Sequence, residues 1–406
     1  MRTDLIVRLA AIVSVAISLL LGASGSSALA QSVGDDIGAG VFKPKNPETK
    51  RRTPKPVKPV TKPTKKPDTA LDDRIDDLLD KGNDARDAKK YPESQEAYEG
   101  VLKLRAHDAR GAYGLGNVYS DQRRWEDAEK AYRDAVEWAP KGADALVALS
   151  VVLVQPVAGA NNAKRFADAQ GFAQRAVQLD PKNAVAWDRL GVALQSRGLF
   201  NSETEQAYRR AVDLDPQFAV AYAHLGRVLR RMAKGDEAAP LYDRAIELAK
   251  DPATLILIAD SLQAEQQWDK SEPVLRKALE KDPRSTSALY LLGRALIVLR
   301  RQQEAEPYLK TAIELSPQSF QSYNLLGQAY LALGRYDDAE KTYNSAVDLA
   351  SPAERKQLAG AFGFEGVGDG YLKAQRRPDA ARAYRRALDL DPDNQQLQNK
   401  VSKVKA

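Results

Sequence analysis

The sequence contains no cysteine among its 406 residues and only two histidines, His107 and His224. Without cysteine there is no disulfide bond, no thiolate metal site, no cysteine nucleophile and no lipid anchor of the kind that needs a cysteine at the mature N-terminus. The two histidines lie far apart in the sequence, and neither is flanked by a recognisable nucleophile or metal-ligand motif. Carboxylates are abundant, but they follow the solvent faces of the predicted helices, so no acid pair stands out. We therefore expect no enzyme activity, no metal and no cofactor.

Long apolar runs are scarce, and the one near the N-terminus has the features of an export signal. A basic start precedes an uninterrupted run of apolar and small residues at 9–21, and Ala28-Leu29-Ala30 fits the small-x-small rule for cleavage before Gln31. The run is short for a bilayer helix, which needs about 20 apolar residues. We expect residues 1–30 to be a cleaved signal peptide, with an uncleaved anchor as the alternative. The mature chain would then have no transmembrane span and would act in the periplasm or cell envelope of a bacterium.

Proline and positive charge are concentrated in residues 43–67, which contain ten Lys or Arg, one Glu and seven prolines. This segment carries a net charge of +9 while the whole chain carries +6, so the remainder is weakly acidic at −3. Such a composition cannot bury a core and favours an extended polyproline II chain. We predict residues 31–70 to be a disordered Lys/Pro-rich linker. It is either a spacer or a contact for an anionic envelope polymer or phospholipid surface. Nucleic acid is not expected, because no aromatic residues are interleaved with the charges.

The rest of the chain follows a pattern that is clearest in residues 109–142. Apolar and small residues recur there at spacings of three or four in two groups, which predicts two amphipathic helices joined by a turn at 123–125. The first group is Ala112, Leu115, Gly116 and Tyr119, and the second is Ala128, Tyr132, Ala135 and Pro140. Small residues at Gly116 and Ala128 would let the two helices approach closely. Equivalent positions recur 34 residues apart, as from Pro283 to Pro317.

This pattern resembles the tetratricopeptide repeat family, of an exported bacterial type, in both its residues and its 34-residue period. The resemblance implies an all-α fold, an α-solenoid of about nine tandem helix-turn-helix units that forms a right-handed superhelix. The array would span 71–394, and the polar residues 395–406 would form a C-terminal capping helix. The nine units lie near 75–108, 109–142, 143–183, 184–218, 219–251, 252–285, 286–319, 320–353 and 361–394.

Two places depart from the 34-residue step. Extra residues at 155–162 fall between the two helices of the third unit and predict a protruding loop. A second surplus, at 354–360, falls between the eighth and ninth units, and we expect it to loosen that joint. Five glycines at 360–370 lie where the first helix of the ninth unit should be, which predicts an irregular or closely packed helix.

The resemblance also implies a concave groove, lined by the first helix of each unit, that binds peptides or protein segments. It would be apolar near the third unit and basic near the fifth, where an acidic or carboxylate-bearing segment is the natural ligand. The alternative for these arginines is a solvated face paired with nearby acids. The implied groove residues are Arg110, Tyr113, Asn117, Val147, Val151, Val154, Arg227, Arg230, Arg231, Tyr290 and Arg294. The carboxylate clamp of chaperone-binding relatives is not reproduced, since Tyr113 stands where that clamp requires a lysine.

Two functions therefore remain open from the sequence. The first is a non-catalytic scaffold whose groove holds another envelope protein or peptide segment, in outer-membrane assembly, secretion, a pilus or a motility complex. The second is a cell-wall-associated factor whose basic segment 43–67 binds anionic polymer while the repeats recruit or regulate a wall enzyme.

Overall fold

The structure is a computed structural model that describes residues 44–49 and 69–405. Every regular element in these residues is an α-helix, and no strand occurs among them, which confirms the predicted all-α fold. The predicted signal peptide at 1–30 lies outside the described residues, as does most of the predicted linker. The chain divides into two compact units, one ending at Leu248 and one beginning at Ala249.

The N-terminal unit consists of residues 44–49 and ten helices that pack as consecutive antiparallel pairs. The helices are α1 (Thr69–Asp87), α2 (Tyr91–Leu104), α3 (Ala109–Asp121), α4 (Trp125–Trp138), α5 (Ala143–Leu153), α6 (Asn162–Leu179), α7 (Ala184–Ser196), α8 (Ser202–Leu214), α9 (Ala219–Arg231) and α10 (Gly235–Leu248). Each first helix also contacts the second helix of the preceding pair, so successive hairpins pack against one another.

The C-terminal unit repeats the arrangement and ends in an additional helix. Its helices are α11 (Pro252–Ala264), α12 (Trp268–Lys281), α13 (Thr286–Val298), α14 (Gln302–Leu315), α15 (Phe320–Ala332), α16 (Tyr336–Val347), α17 (Pro352–Ala359), α18 (Phe364–Lys373), α19 (Arg377–Leu390) and α20 (Gln395–Lys405). Helix α20 packs on α19 and buries Leu397 completely. The predicted C-terminal capping helix is therefore confirmed.

The close approach of the two helices in a hairpin depends on glycine facing tyrosine. A methyl group at Gly116 would lie 2.5 Å from the ring of Tyr132, well inside van der Waals contact. Gly191 meets Tyr208 in the same way. The tyrosine rings are fully buried, and so is Ala128. The second helix thus fills with an aromatic ring the volume that glycine leaves open on the first.

The turn inside most hairpins requires one residue with positive φ. This residue is glycine at Gly159, Gly198 and Gly334. In the other turns it is not glycine, and the left-handed conformation costs such a residue about 1–2 kcal/mol. The non-glycine cases are Lys89, Arg123, Ala233, Gln266, Arg300 and Gln375. Helix starts are favoured by side-chain caps. Among them are Asn183, Ser285 and Ser319, each of which accepts from a backbone N–H of the first turn.

The surplus of the third hairpin lies between α5 and α6, at 154–161. Its base is anchored by Arg165, which donates to the carbonyl oxygens of Val152 (3.1 Å) and Gln155 (3.4 Å) and pairs with Glu129 on α4. The start of the connection is therefore fixed to the core by hydrogen bonds from the buried Arg165 side chain.

The surplus at 354–360 is mostly helical. Residues 354–359 belong to α17, which begins with a capping box between Ser351 and Glu354 and packs against α16, α18 and α19. A looser joint between the eighth and ninth units stays a prediction. The glycines that follow make close packing possible, because a methyl group at Gly363 would overlap the carbonyl group of Leu358. Helix α18 forms although it contains several glycines. One of them, Gly368, lies so close to the ring of Tyr384 that a methyl group would not fit there.

Candidate functional site

Residues 44–49 lie against the first helices of the first two hairpins and are held there by side-chain amides. Asn83 on α1 donates from Nδ2 to the carbonyl oxygen of Pro47 at 3.1 Å. Asn117 on α3 donates from Nδ2 to the carbonyl oxygen of Lys45 at 2.9 Å. The two asparagines are equivalent positions of successive repeats, and they bind carbonyls two residues apart. Together with Arg86 on α1 they form what we call the docking site.

Tyrosines of the second helices orient both amides. Tyr98 donates its hydroxyl proton to Oδ1 of Asn83, and Tyr132 donates to Oδ1 of Asn117, each at 2.8 Å. Since the oxygen of each amide is occupied as an acceptor, its nitrogen faces the segment as a donor. The rings reach this position because Gly114 and Gly116 leave space for them on α3. The buried tyrosines that pack inside the hairpins therefore also hold the asparagine amides in position to bind the segment.

Arg86 is the third group of the docking site and is only 1% exposed. Its Nη1 donates to the carbonyl oxygen of Pro44 at 2.8 Å and to Oδ1 of Asn46 at 3.0 Å. Its Nε and Nη2 bind the two carboxylate oxygens of Asp121 at 2.7 and 3.0 Å. Burial lowers the pKa of Arg86, but the hydrogen bond and charge of Asp121 outweigh burial and raise the pKa above its ordinary value. The guanidinium therefore stays charged and is held rigidly toward the segment.

Within residues 44–49, the helices contact the Asn46 side chain and the two buried prolines, Pro44 and Pro47. Asn46 accepts from Arg86 and donates from Nδ2 to Oδ2 of Asp87 at 3.0 Å, so both ends of its amide are used. Pro44 and Pro47 are buried, whereas Lys45 is exposed. The contacts thus involve main-chain carbonyls and the Asn46 amide, and not the positive charge that dominates the composition of 43–67.

Sequence reasoning missed both this contact and two of the residues that make it. It predicts 31–70 to be one disordered linker, and it names Asn117 but neither Asn83 nor Arg86. A signal was present, because Asn83 lies 34 residues before Asn117 and so occupies the same position of the preceding repeat.

The other implied groove residues of α3, Arg110 and Tyr113, contact residues of the helical repeats. Arg110 binds Asp76 at 2.8 Å and Asp108 at 2.9 Å, and Asp108 also caps α3 by accepting from the Arg110 main-chain N–H. Tyr113 is buried with its ring centroid 5.8 Å from that of Tyr132, and burial raises the pKa of its hydroxyl. Of the three implied residues on α3, Asn117 is the one with a hydrogen bond to the segment.

The implied residues of the third hairpin are apolar and largely enclosed. Val147 and Val151 are each 3% exposed on α5, and Val154 at the end of that helix is partly buried. Val147 and Val154 belong to the core shared by the second to fourth hairpins. They form part of the packing between hairpins.

Three implied basic residues lie on α9. Arg227 and Arg230 are half-buried, and Arg231 is exposed, with its guanidinium 5.0 Å from the ring centroid of Phe200. Lys234, which follows the helix, pairs with Glu205 on α8 at 2.8 Å. An acidic partner segment at Arg227 and Arg230 stays a prediction.

Sequence reasoning also missed a buried charge cluster between α7 and α9. Asp188 is fully buried, and its carboxylate lies 2.8 Å from Nδ1 of His224 and 2.8 Å from Nη2 of Arg189. Burial raises the pKa of Asp188, but the charges of Arg189 and His224 outweigh burial and bring that pKa below its ordinary value. The cluster satisfies the Asp188 charge and links two successive first helices.

In the C-terminal unit, the implied residues Tyr290 and Arg294 lie on α13 and are both buried. Arg294 donates from Nε to Oε1 of Gln263 at 2.7 Å and lies 3.4 Å from Asp260 on α11. Its guanidinium is 5.9 Å from the Tyr290 ring centroid. Its charge is thus directed toward the preceding first helix.

Residues 44–49 and 69–405 contain no cluster of three or more His, Asp or Glu side chains arranged to hold a metal ion. Among the helices of this part of the chain, none combines the length and apolar character needed to cross a bilayer.

Comparisons with solved structures found likenesses to several known proteins. The crystal structure of yeast Tom70 is 17% identical, with a TM-score of 0.54 over 85% of this chain and 70% of that chain, a likeness of fold alone. A crystal structure of MamA is 23% identical with a TM-score of 0.37, covering 43% of this chain and 92% of that one. YrrB, described as a TPR protein with an unusual peptide-binding site, is 21% identical with a TM-score of 0.39, covering 49% and 99%. No curated protein sequence matches the chain.

Family models give a direct assignment. Two models described as tetratricopeptide repeat match more than half of the chain. One matches residues 79–145, 113–155, 256–320, 299–354 and 368–400, and the other matches 221–254. The chain therefore belongs to the tetratricopeptide repeat family, whose members are generally non-catalytic scaffolds for protein interactions.

Proposed function

We propose that this protein is a non-catalytic scaffold that binds an extended segment of a partner protein at the docking site. One observation carries the proposal: Asn83 and Asn117, oriented by buried tyrosines, donate to the main-chain carbonyls of Pro47 and Lys45 in the chain's own segment 44–49. Amides repeated at the spacing of the hairpins suit a ligand that is itself repetitive, namely a polypeptide backbone. The partner is therefore a protein or peptide segment.

Proline-containing segments fit this site for a physical reason. Proline lacks an N–H, so a segment such as residues 44–47 presents carbonyl acceptors with few donors to satisfy, and the docking site supplies donors. Polyproline II chains are also extended before binding, so they lose little conformational entropy when they bind. The buried guanidinium of Arg86 adds a charge-assisted hydrogen bond to a carbonyl.

A titration of one labelled peptide tests the proposal. The probe is a fluorescein-labelled peptide of residues 42–50, and the receptor is the full chain with Pro44-Lys45-Asn46-Pro47 replaced by Gly-Ser-Gly-Ser, followed by fluorescence anisotropy. We expect saturable binding that falls at least about tenfold in Asn83→Ala with Asn117→Ala, since two hydrogen bonds contribute about 1 kcal/mol each.

The matched control is Asn344→Ala, which removes an exposed asparagine of the C-terminal unit and should leave the affinity unchanged. Unaltered helicity of each variant by circular dichroism confirms the fold. Absence of saturable binding, or equal binding to the double variant, would overturn the proposal.

We also propose that the protein acts in the bacterial periplasm or cell envelope, in an assembly, secretion, pilus or motility complex. The support is the basic start, the apolar run at 9–21 and the Ala28-Leu29-Ala30 site. Fusing residues 1–40 to a reporter enzyme that is active only after export tests this, together with mass spectrometry of the mature N-terminus. A reporter that stays inactive would contradict export.

The alternative role in the cell wall is supported by the net charge of +9 on residues 43–67. Because residues 44–49 contact α1 and α3, polymer binding falls on the eight Lys or Arg of 50–66. Replacing these eight residues by Gln should abolish co-sedimentation with anionic wall polymer if this alternative holds. The replacement should leave binding of the 42–50 probe unaffected.

A further inference from the structure

We propose that the docking site selects the motif Pro-Xaa-Asn-Pro and that, in the isolated chain, its own residues 44–47 fill it. This inference rests on the proposed function, because it identifies the segment that the docking site prefers. An external partner would then have to displace the chain's own copy of the motif.

The asparagine is selected by two opposite hydrogen bonds. Arg86 donates to Oδ1 of Asn46 at 3.0 Å, and Asp87 accepts from Nδ2 of Asn46 at 3.0 Å. An aspartate at this position would place a carboxylate against the carboxylate of Asp87 and lose the second bond. An alanine would lose both bonds and leave the buried guanidinium of Arg86 with fewer acceptors.

The flanking residues define the rest of the motif. Pro44 and Pro47 are buried, and their carbonyl oxygens accept from Arg86 and Asn83. Lys45 contributes its carbonyl oxygen to Asn117 while its side chain is exposed, so this position tolerates any residue. The selected pattern is therefore proline, any residue, asparagine, proline.

Covalent connection favours the chain's own segment over a free one. Nineteen residues separate Thr49 from α1, so binding of residues 44–47 is intramolecular. Short tethers give effective concentrations on the order of millimolar. A free partner segment at micromolar concentration competes against this local excess, which lowers its apparent affinity by tenfold or more.

The test compares full chains that differ at one residue, with the fluorescein-labelled 42–50 peptide as probe. The variants are wild type, Asn46→Ala, and Lys45→Ala as the matched control in the same segment. We expect Asn46→Ala to bind the probe at least about tenfold more tightly than wild type, and Lys45→Ala to behave as wild type. Equal affinity of wild type and Asn46→Ala for the probe would overturn self-occupancy.

Two further readouts separate this inference from the proposed function. A probe carrying Asn46→Ala should bind the Gly-Ser-Gly-Ser chain at least about tenfold more weakly than the wild-type probe, and equal binding would overturn the motif. If the Gly-Ser-Gly-Ser chain binds neither probe, the proposed function itself fails. A concentration-dependent wild-type dimer that disappears in Asn46→Ala would show that a second copy supplies the segment, which contradicts filling by the chain's own residues.

Discussion

The hydroxyl of Tyr132 donates to Oδ1 of Asn117 at 2.8 Å, and Asn117 in turn donates from Nδ2 to the segment. Tyr132 is the ring that packs on Gly116, so the same side chain holds the hairpin together and aims the amide. The equivalent pair in the first hairpin, Tyr98 and Asn83, is built in the same way. A ligand that changes the position of either asparagine is therefore coupled to the packing of a hairpin.

Removing the Tyr132 hydroxyl should weaken both peptide binding and the fold. In Tyr132→Phe the ring still fills the space above Gly116, but the Asn117 amide is free to turn its oxygen toward the segment. We expect roughly three- to tenfold weaker binding of the 42–50 probe to the Gly-Ser-Gly-Ser chain, and a loss of about 1 kcal/mol in the free energy of unfolding.

The matched control for that variant is Tyr343→Phe. Tyr343 is equally buried in the C-terminal unit and donates to the carbonyl oxygen of Phe362 at 2.6 Å. It should lower the free energy of unfolding by a similar amount and leave probe affinity unchanged. Equal loss of affinity in both variants would show that the effect is a general loss of stability.

The hairpin turns provide a stability prediction. Arg300 is exposed and has φ of 63°, so Arg300→Gly should raise the free energy of unfolding by about 0.5–1 kcal/mol, since glycine adopts this conformation without steric cost. Gly198→Ala tests the reverse: φ is 77° and a methyl group would meet nothing within 4 Å, so only the conformation is penalised. Urea unfolding measures both, and stabilisation by Gly198→Ala would contradict this explanation.

The glycine-rich stretch before α18 should tolerate substitution poorly. Gly363→Ala places a methyl group against the carbonyl group of Leu358, and we expect a loss of at least about 1–3 kcal/mol in the free energy of unfolding. Gly171 on α6 is the matched contrast, since a methyl group there meets nothing within 4 Å and the residue is exposed in mid-helix. Gly171→Ala should stabilise by about 0.5–1 kcal/mol. Thermal unfolding of the two variants should therefore shift in opposite directions.

Acid should destabilise the fold through carboxyl groups that bridge successive hairpins. Burial raises the pKa of Glu306, but its hydrogen bonds with Lys310 and Tyr330 and the charges of Lys310 and Arg335 outweigh burial, so that pKa is lower in the folded chain than in the unfolded chain. A group with a lowered folded pKa stabilises the fold above its unfolded pKa, about 4.3 for Glu, and loses this contribution as the pH falls through the folded pKa.

We therefore expect the urea midpoint to fall as the pH is lowered from about 6 to about 3, and to fall less steeply in Glu306→Gln. Glu314 is an exposed carboxyl on the same helix α14, and Glu314→Gln is the matched control for the removal of one carboxyl group. A midpoint that rises with acid, or a Glu306→Gln profile identical to wild type, would contradict the assignment.

The fold could be predicted from the sequence because its determinants are local and repeated. A small residue on the first helix and a tyrosine eight residues into the second recur at 34-residue spacing, as at Gly116 and Tyr132, and each hairpin contains its own copy of that contact. The α17 helix was missed because its residues have no counterpart in the other repeats. Its capping box, Ser351 with Glu354, was nevertheless readable.

The docking site could be predicted only in part. Asn117 follows from its position in the repeat, and Asn83 could have followed from the same position one period earlier. Docking of residues 44–49 could not, because composition marks 43–67 as solvated, and the contacts that hold the segment link residues about forty positions apart. They also depend on the burial of Arg86 against Asp121, which no local pattern reveals.

The central claim is that the docking site on α1 and α3 binds an extended protein segment, and photo-crosslinking tests it most directly. A 42–50 peptide with a photoreactive residue in place of Lys45, whose side chain is exposed, is irradiated with the Gly-Ser-Gly-Ser chain, and the linked residues are mapped by mass spectrometry. We predict crosslinks confined to the first three hairpins and lost in Asn83→Ala with Asn117→Ala. Crosslinks that are spread along the chain, or that persist in the double variant, would contradict the claim.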